Sequence, residues 1–197
     1  MSDNKNLTKV VTGSARRYDT GDHSGLVRFS YCSVWEPKAA NENAEPKYSV
    51  SLIIPKDDTK LVTKIKNAIQ AANEYGIKAK FNGKDLSKRP TFHNPLRDGD
   101  AEKPDDEAYK NAYFVNASSK NAPGIIDKDG NHILDQTEFY SGCYGFASLN
   151  FYPYNTAGSC GIACGLQNLQ KFEDGEPLGG RASAESDFGV ESQDEDF

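Results

Sequence analysis

The stretch Glu138–Asn155, EFYSGCYGFASLNFYPYN, holds seven aromatic residues, and the alternation of a β-strand sorts it onto two faces. Odd positions give Phe139, Cys143, Ala147, Leu149 and Phe151, an apolar set suited to a core. Even positions give Tyr140, Tyr144, Phe146, Ser148, Asn150, Tyr152 and Tyr154. Rings with polar tips on an open face can stack flat π-systems such as unpaired nucleobases. If both faces are covered, the same hydroxyls must find internal partners instead.

A second group of residues suits phosphate. Lys78–Arg97, KAKFNGKDLSKRPTFHNPLR, carries Lys78, Lys80, Lys84, Lys88, Arg89 and Arg97 against the single acid Asp85, with Phe81, Phe92 and His93 interleaved. Cations for a sugar-phosphate backbone and rings for its bases make a nucleic-acid signal. The alternative is a solvated loop whose charge offsets the next stretch, Asp98–Glu107, with six acids and one lysine.

Charge is unevenly distributed. The formal net charge is −6, but after Arg181 the chain has six acids (Glu185, Asp187, Glu191, Asp194, Glu195, Asp196) and no base. Residues 1–181 are therefore neutral, and the excess sits in an acidic arm ending in Phe197. From Glu173 onward there is too little apolar content to build a core, which predicts a disordered tail. A terminal ring flanked by carboxylates suits capture by an apolar pocket rimmed with Lys or Arg. The same arm can act as a phosphate mimic in the chain's own basic groove.

The elements that must position these groups are mostly strands. Twenty Tyr and Phe and 17 Gly in 197 residues fit a turn-rich β protein. Strands are predicted at Leu7–Thr12, at Gly25–Glu36 with Pro37 as its end, and at Lys47–Ile54. In the last, Tyr48, Val50, Leu52 and Ile54 face one way and Lys47, Ser49 and Ser51 face solvent. A helix starts near Asp57–Asp58 and carries one stripe, Leu61, Ile65, Ala68, Ile69 and Ala72, with Gly76 as its end. Further strands are expected at Ala108–Ser119 and Gly161–Leu169, with a hairpin at Ile125–Leu134. The fold class is mainly β with one or two helices.

Other chemistry finds no support. There is no GxxxxGKS/T loop, no GxGxxG after a strand and no HExxH. Asp127, Asp129, Asn131 and Glu138 fit four positions of a calcium loop, but the glycine that loop needs is His132. Cys160 and Cys164 on one strand would stand about 13 Å apart, too far for one zinc ion. With Cys32 and Cys143 they read as reduced thiols. The N-terminus has no apolar signal segment and no run spans a membrane, so an intracellular, soluble protein is expected. No cofactor, metal or catalytic residue is expected.

Several motifs resemble the single-stranded DNA-binding proteins of tailed bacteriophages: Phe92-His93-Asn94-Pro95-Leu96-Arg97-Asp98-Gly99-Asp100, Tyr140-Ser141-Gly142-Cys143-Tyr144, Asn150-Phe151-Tyr152, Asp174-Gly175-Glu176-Pro177-Leu178-Gly179-Gly180, and the acidic tip with Phe197. The resemblance runs over most of residues 24–197. It implies an OB-fold-like five-stranded barrel with an added hairpin, and sequence-tolerant binding of single-stranded DNA. It also implies a tail that recruits replication and recombination proteins while shielding the groove, and pairing as homodimers. The domains would be an N-terminal arm and first strand (1–23), the binding domain (24–175) and the acidic tail (176–197). In this reading Tyr140, Tyr144, Phe146 and Tyr152 stack bases. Lys78, Lys80, Lys88, Arg89, Arg97, Lys120 and Arg28 hold phosphates, and Asp194, Glu195, Asp196 and Phe197 contact the partner. The place of action would be the cytoplasm of the infected host. Other readings are an RNA-binding OB module, a virion or assembly protein, and a metal-dependent nuclease using Asp98–Glu107.

Overall fold

The computed structural model describes residues 7–179. In chain order they form β1 (Lys9–Val11), α1 (Ala15–Asp19), β2 (Val27–Lys38), β3 (Lys47–Pro55), α2 (Thr59–Ala79), β4 (Phe92–His93), β5 (Arg97–Asp98), α3 (Gly99–Glu102), β6 (Ala112–Ser119), β7 (Gly124–Ile126), β8 (Tyr144–Thr156) and β9 (Ser159–Glu173). Five of the strands close a ring, β2-β3-β6-β9-β8 and back to β2, as the resemblance implied. Every neighbour is antiparallel except β6 and β9, which meet in parallel at Ser118 and Gly165. β1, β4, β5 and β7 are short additions along its edges.

The inside of the ring is filled by the set that alternation picked out. Val50, Leu52 and Ile54 of β3 and Ala147, Leu149 and Phe151 of β8 share one buried cluster with Val27 and Phe29 of β2. α2 closes it with Leu61, Ile65, Ala68 and Ala72, each 2% exposed or less. The helix starts where its cap chemistry says it should. Asp58 accepts a hydrogen bond from Leu61 N at 3.0 Å, satisfying one of the free amides of the first turn. Its other oxygen accepts from Gly25 N at 2.6 Å and ties the helix to the start of β2.

Some local expectations are corrected. Gly76 does not end α2, which runs to Ala79. A β-carbon there would collide with the Phe81 ring and Pro153, so the glycine lets β8 lie close against the helix. Pro37 does not end β2. The ladder with β3 is irregular between Ser33 and Lys38, and a missing N–H there costs no regular bond. The second face of β3 is not solvated along its length, for Ser51 is 3% and Ile53 5% exposed. Residues 107–109 form a 3-10 turn before β6 starts at Ala112. Asp127 shapes the 127–131 turn by accepting from the amides of Asp129 and Asn131. Cys143 and Cys164 are buried, and burial pushes the Cys143 thiol up to about 11.

Asp58→Ala removes the cap of α2 and leaves the buried Gly25 N–H without its acceptor. The expected cost is about 2 kcal/mol or more, read as a lower denaturation midpoint with an unchanged slope. Asp58→Asn, which keeps an acceptor, should recover part of it.

Candidate nucleic-acid interface

Outside the ring, β3 and β6 turn Ile53 and Phe114 outward. These do not face water. Tyr109 and Ala112 pack on them, with Ala108 and Leu178 at the margin, forming a second apolar cluster. Tyr109 is 0% exposed and its hydroxyl hydrogen-bonds Ser51 Oγ at 2.9 Å. The acidic stretch is therefore a brace folded over the sheet. Arg97 pairs with Phe114 in the β5–β6 ladder. Lys56 Nζ reaches Asp98 at 2.8 Å and Asp100 at 2.7 Å, and Asp100 also accepts from Asn111 N. Arg97 holds Glu102 at 2.7 Å, which raises the guanidinium pKa further. The Lys56 ammonium is the main cause holding both Asp98 and Asp100 below the usual carboxylate range.

Beside the brace, β2 makes a bulge. Its pairing with β3 slips between Ser30 and Ser33, and Tyr31 sits at φ +47°. A left-handed conformation costs a non-glycine residue about 1–2 kcal/mol. Asn82 and Asn111, the other described non-glycine residues at positive φ, are of the type that tolerates it; Tyr31 is not. The bulge aims its ring outward, 62% exposed. Lys103 Nζ stands 4.7 Å from the Tyr31 ring centroid, 4.9 Å from Tyr109 and 5.7 Å from Phe114. A cation within such reach of three ring faces is held in place without a carboxylate. Tyr31 and Ser30 line a groove of about 870 Å³ together with Asp106, Thr137, Tyr140, Ser141 and the segment 177–179.

That segment is held by residues expected to hold DNA. Tyr140 OH bonds Asp174 at 2.9 Å and the Gly175 carbonyl at 3.0 Å, and burial pushes the phenol above its ordinary pKa. Arg28 lies over the Tyr144 ring at 5.3 Å and donates to the carbonyls of Gly142 and Glu176. Leu178 N donates to Ser141 O at 2.8 Å. The C-terminal strap thus touches all three, but only Tyr140 lines the groove; Tyr144 and Arg28 line a separate cavity with Lys56 and Asp57.

Phe146 is the clear correction to the open-face expectation. It is 2% exposed, with Tyr18 of α1 and Phe172 of β9 against it at 6.2 and 5.8 Å between centroids. A five-residue helix folds back over this part of the even face. Tyr152 remains 40% exposed, but at the far end of β8. Lys78, Lys80, Lys88 and Arg89 gather near that end, where Asn155 Nδ2 donates to Lys80 O. Lys120 lies elsewhere, paired with Glu45 of the β2–β3 loop at 2.7 Å. The predicted cations therefore do not form one patch. Asp194, Glu195, Asp196 and Phe197 lie outside the described residues. Tyr31 and Lys103 were not singled out by sequence reasoning. A bulge breaks the alternation that would have shown the ring, and Lys103 stands alone in an acidic run.

A five-stranded ring with a ring-and-hydroxyl groove on its outer face has the layout of an OB-type nucleic-acid binder. The chain belongs to the family described as Enterobacter phage Enc34, ssDNA-binding protein, whose profile matches residues 22–197. Protein p50 of Acyrthosiphon pisum secondary endosymbiont phage 1 is 33% identical over 168 residues, 81% of this chain and 88% of that protein. The single-stranded DNA-binding protein of bacteriophage Enc34, solved in complex with ssDNA, shares the fold at a TM-score of 0.69 and 23% identity, over 78% of this chain and 86% of that one. The single-stranded DNA-binding protein gp2.5 of bacteriophage T7 shares it at 0.57 and 14% identity, over 89% and 97%. The family is one of binding proteins rather than enzymes.

The brace carries a pH signature. Carboxylates with lowered folded pKa values contribute stability that is present above their unfolded values near 3.9 and lost as pH falls through the folded values. Protection factors of the Asn111 and Asp100 amides, taken relative to the intrinsic exchange rate at each pH, should therefore fall below about pH 4. Lys56→Met should produce the same loss of protection at neutral pH.

Proposed function

We propose that this protein binds single-stranded DNA without sequence preference, laying the strand along the outer groove beside β2 and the 98–111 brace, in phage DNA replication or recombination. The observation that carries this reading is Tyr31: an open ring on a bulge that costs conformational energy, facing a groove, with Lys103 against its face. Strained positions of this kind persist where the surrounding fold enforces them, and they cluster at binding sites. One base stacked on such a ring contributes about 1–3 kcal/mol. Lys103, against the Tyr31 ring, is the cation placed for a phosphate in the groove, and Arg28 is released for one when the strap it bonds is displaced. The rings of Tyr140 and Tyr144 become available to a strand when the 174–178 strap is displaced.

The tail fits the same mechanism. Leu178 packs at the margin of the apolar cluster of Ile53, Tyr109, Ala112 and Phe114, and the described chain ends at Gly179 in the groove wall, the end from which the six-carboxylate arm continues in sequence. An anionic arm starting there competes with DNA for the groove at low salt. Once DNA displaces it, its Phe197 tip is offered to replication or recombination partners in the cytoplasm of the infected cell. Pairing into a homodimer is compatible with this mechanism and not required by it.

The test is titration with oligo-dT at two salt concentrations, followed by tyrosine fluorescence. Trp35, whose Nε1 donates to the carbonyl of Phe139, next to the groove residue Tyr140, gives a second signal. Binding should quench tyrosine emission and weaken with salt, and Tyr31→Ala should weaken it about tenfold. No retention of the oligomer would point to a virion or assembly role, and equal affinity for the ribo-oligomer to an RNA module. Truncation after Gly180 should tighten binding at low salt and abolish contact with the partner. A chain unchanged in both respects would reduce the tail to a solubiliser.

A further inference from the structure

Most polar side chains that line the groove are already bonded within the fold. The Thr137 hydroxyl donates to Asp135 at 2.7 Å, and Ser141 Oγ accepts from Cys32 N at 3.0 Å. Tyr140 OH is held by the strap. Two groups keep free capacity. Ser30 is 5% exposed, and among the described residues its hydroxyl has no hydrogen-bond partner. Asp106 is half-buried, and only one of its oxygens is used: Oδ1 accepts from Ala108 N at 3.1 Å, as the cap of the 107–109 turn.

A groove that takes a polyanion loses affinity by carrying a negative charge in its wall. The cap does not require that charge, since asparagine or serine caps a turn as well as aspartate does. Nor is the charge cancelled. Lys103 belongs to the same turn, with Asp106 N donating to Lys103 O at 3.1 Å. Yet among the described residues no cation stands within 4.0 Å of the Asp106 carboxylate. The Lys103 ammonium is held instead against the rings of Tyr31, Tyr109 and Phe114. One short turn thus sets a cation on the stacking ring and an uncompensated carboxylate in the groove wall.

An ionised carboxylate only accepts hydrogen bonds, whereas a serine hydroxyl can do either. It also repels phosphate, so a strand in the groove turns a base edge toward Asp106 while Lys103 takes the backbone. Cytosine offers a carboxylate its N4 amino group, and adenine its N6 amino group. Thymine and uracil carry a carbonyl oxygen in that place. Their one N3–H lies between two such oxygens, so a carboxylate that reaches it meets both. We propose that Asp106 is a specificity-determining residue: beside Tyr31 it selects a base with an exocyclic amino group, cytosine over thymine or uracil. The proposal rests on the single-strand reading above and refines it at one base. A long mixed strand brings such a base within reach by shifting register, so binding stays tolerant of sequence as a whole.

The experiment measures Kd for oligo-deoxycytidine and oligo-deoxyuridine of about 6 nucleotides, a length that one OB site can hold, on the full chain and on Asp106→Asn. The two bases match in size and lack the thymine methyl group, so they differ only in the hydrogen-bonding edge. Asparagine keeps the cap and the side-chain shape but can also donate. The wild-type chain should bind oligo-deoxycytidine about tenfold more tightly. The ratio should be the same at two salt concentrations, because base readout releases no counterions. In Asp106→Asn the ratio should fall to about one or below, mainly through tighter binding of oligo-deoxyuridine. Equal affinities in the wild-type chain, or a cytosine preference that survives in Asp106→Asn, would overturn the readout. Tyr31→Ala separates it from the groove reading. If that variant weakens both oligomers while the wild-type chain shows no base preference, the groove stands and the readout falls; if it weakens neither, both fall.

Discussion

The structure depends on one antiparallel ladder. β8 and β9 pair from Tyr144 with Glu173 to Thr156 with Ser159, and that single interaction has two consequences. At its base it closes the ring, because β8 also reaches β2 and β9 also reaches β6. Toward its tip it lies against α2, with Pro153 on Gly76 and with Phe151 and Ile162 still in the core. The ladder is interrupted at Tyr144/Gly145 and Ser148/Leu149, and such interruptions add the twist that lets a long ribbon bend around a small core. Gly145 sits against the carbonyl of Gln170 at the first of them, where a side chain has no room.

Closing a small ring leaves its outer face as the only broad surface, and this chain covers much of that surface itself. α1 lies on Phe146. The brace lies on Ile53 and Phe114, and the strap lies on Tyr140 and Tyr144. What stays open is what these covers leave: the groove beside Tyr31 and the Tyr152 end of β8. The covers differ in what holds them. Buried rings hold α1 and part of the brace, which makes them structural. The strap is held by hydrogen bonds to carbonyls, one exposed carboxylate and one aliphatic side chain, an arrangement that exchanges with solvent or ligand far more readily.

Electrostatics follows the same division. A chain neutral up to residue 181 is poorly suited to a polyanion when its charge is counted as a whole. In the fold, acids of the brace are absorbed by Lys56 and Arg97, while the cations of the 78–89 turn are left without carboxylate partners among the described residues. Local pairing, rather than net charge, decides where a phosphate backbone gains most. Surface ion pairs contribute little to stability, so their main effect here is on which cations remain available.

Much of the fold was legible in the residues. Alternation along β3 and β8 correctly sorted Val50, Leu52, Ile54, Leu149 and Phe151 inward, because a strand's period of two needs no knowledge of its neighbours. The stripe of α2 and its Asp58 cap are likewise local, and the motifs around Phe92–Asp100 and Tyr140–Tyr144 carried the family. Tertiary structure alone decided which outward residues stay wet. Phe146 and Tyr152 occupy equivalent positions in the alternation, yet one is sealed by residues more than 120 positions earlier in the chain and the other is not. Tyr31 was hidden because a bulge abolishes the pattern that would reveal it, and the acidic run became a brace only through Lys56, more than 40 residues away. Sequence periodicity says which side of a strand a residue takes; what covers that side is a long-range choice that no local pattern encodes.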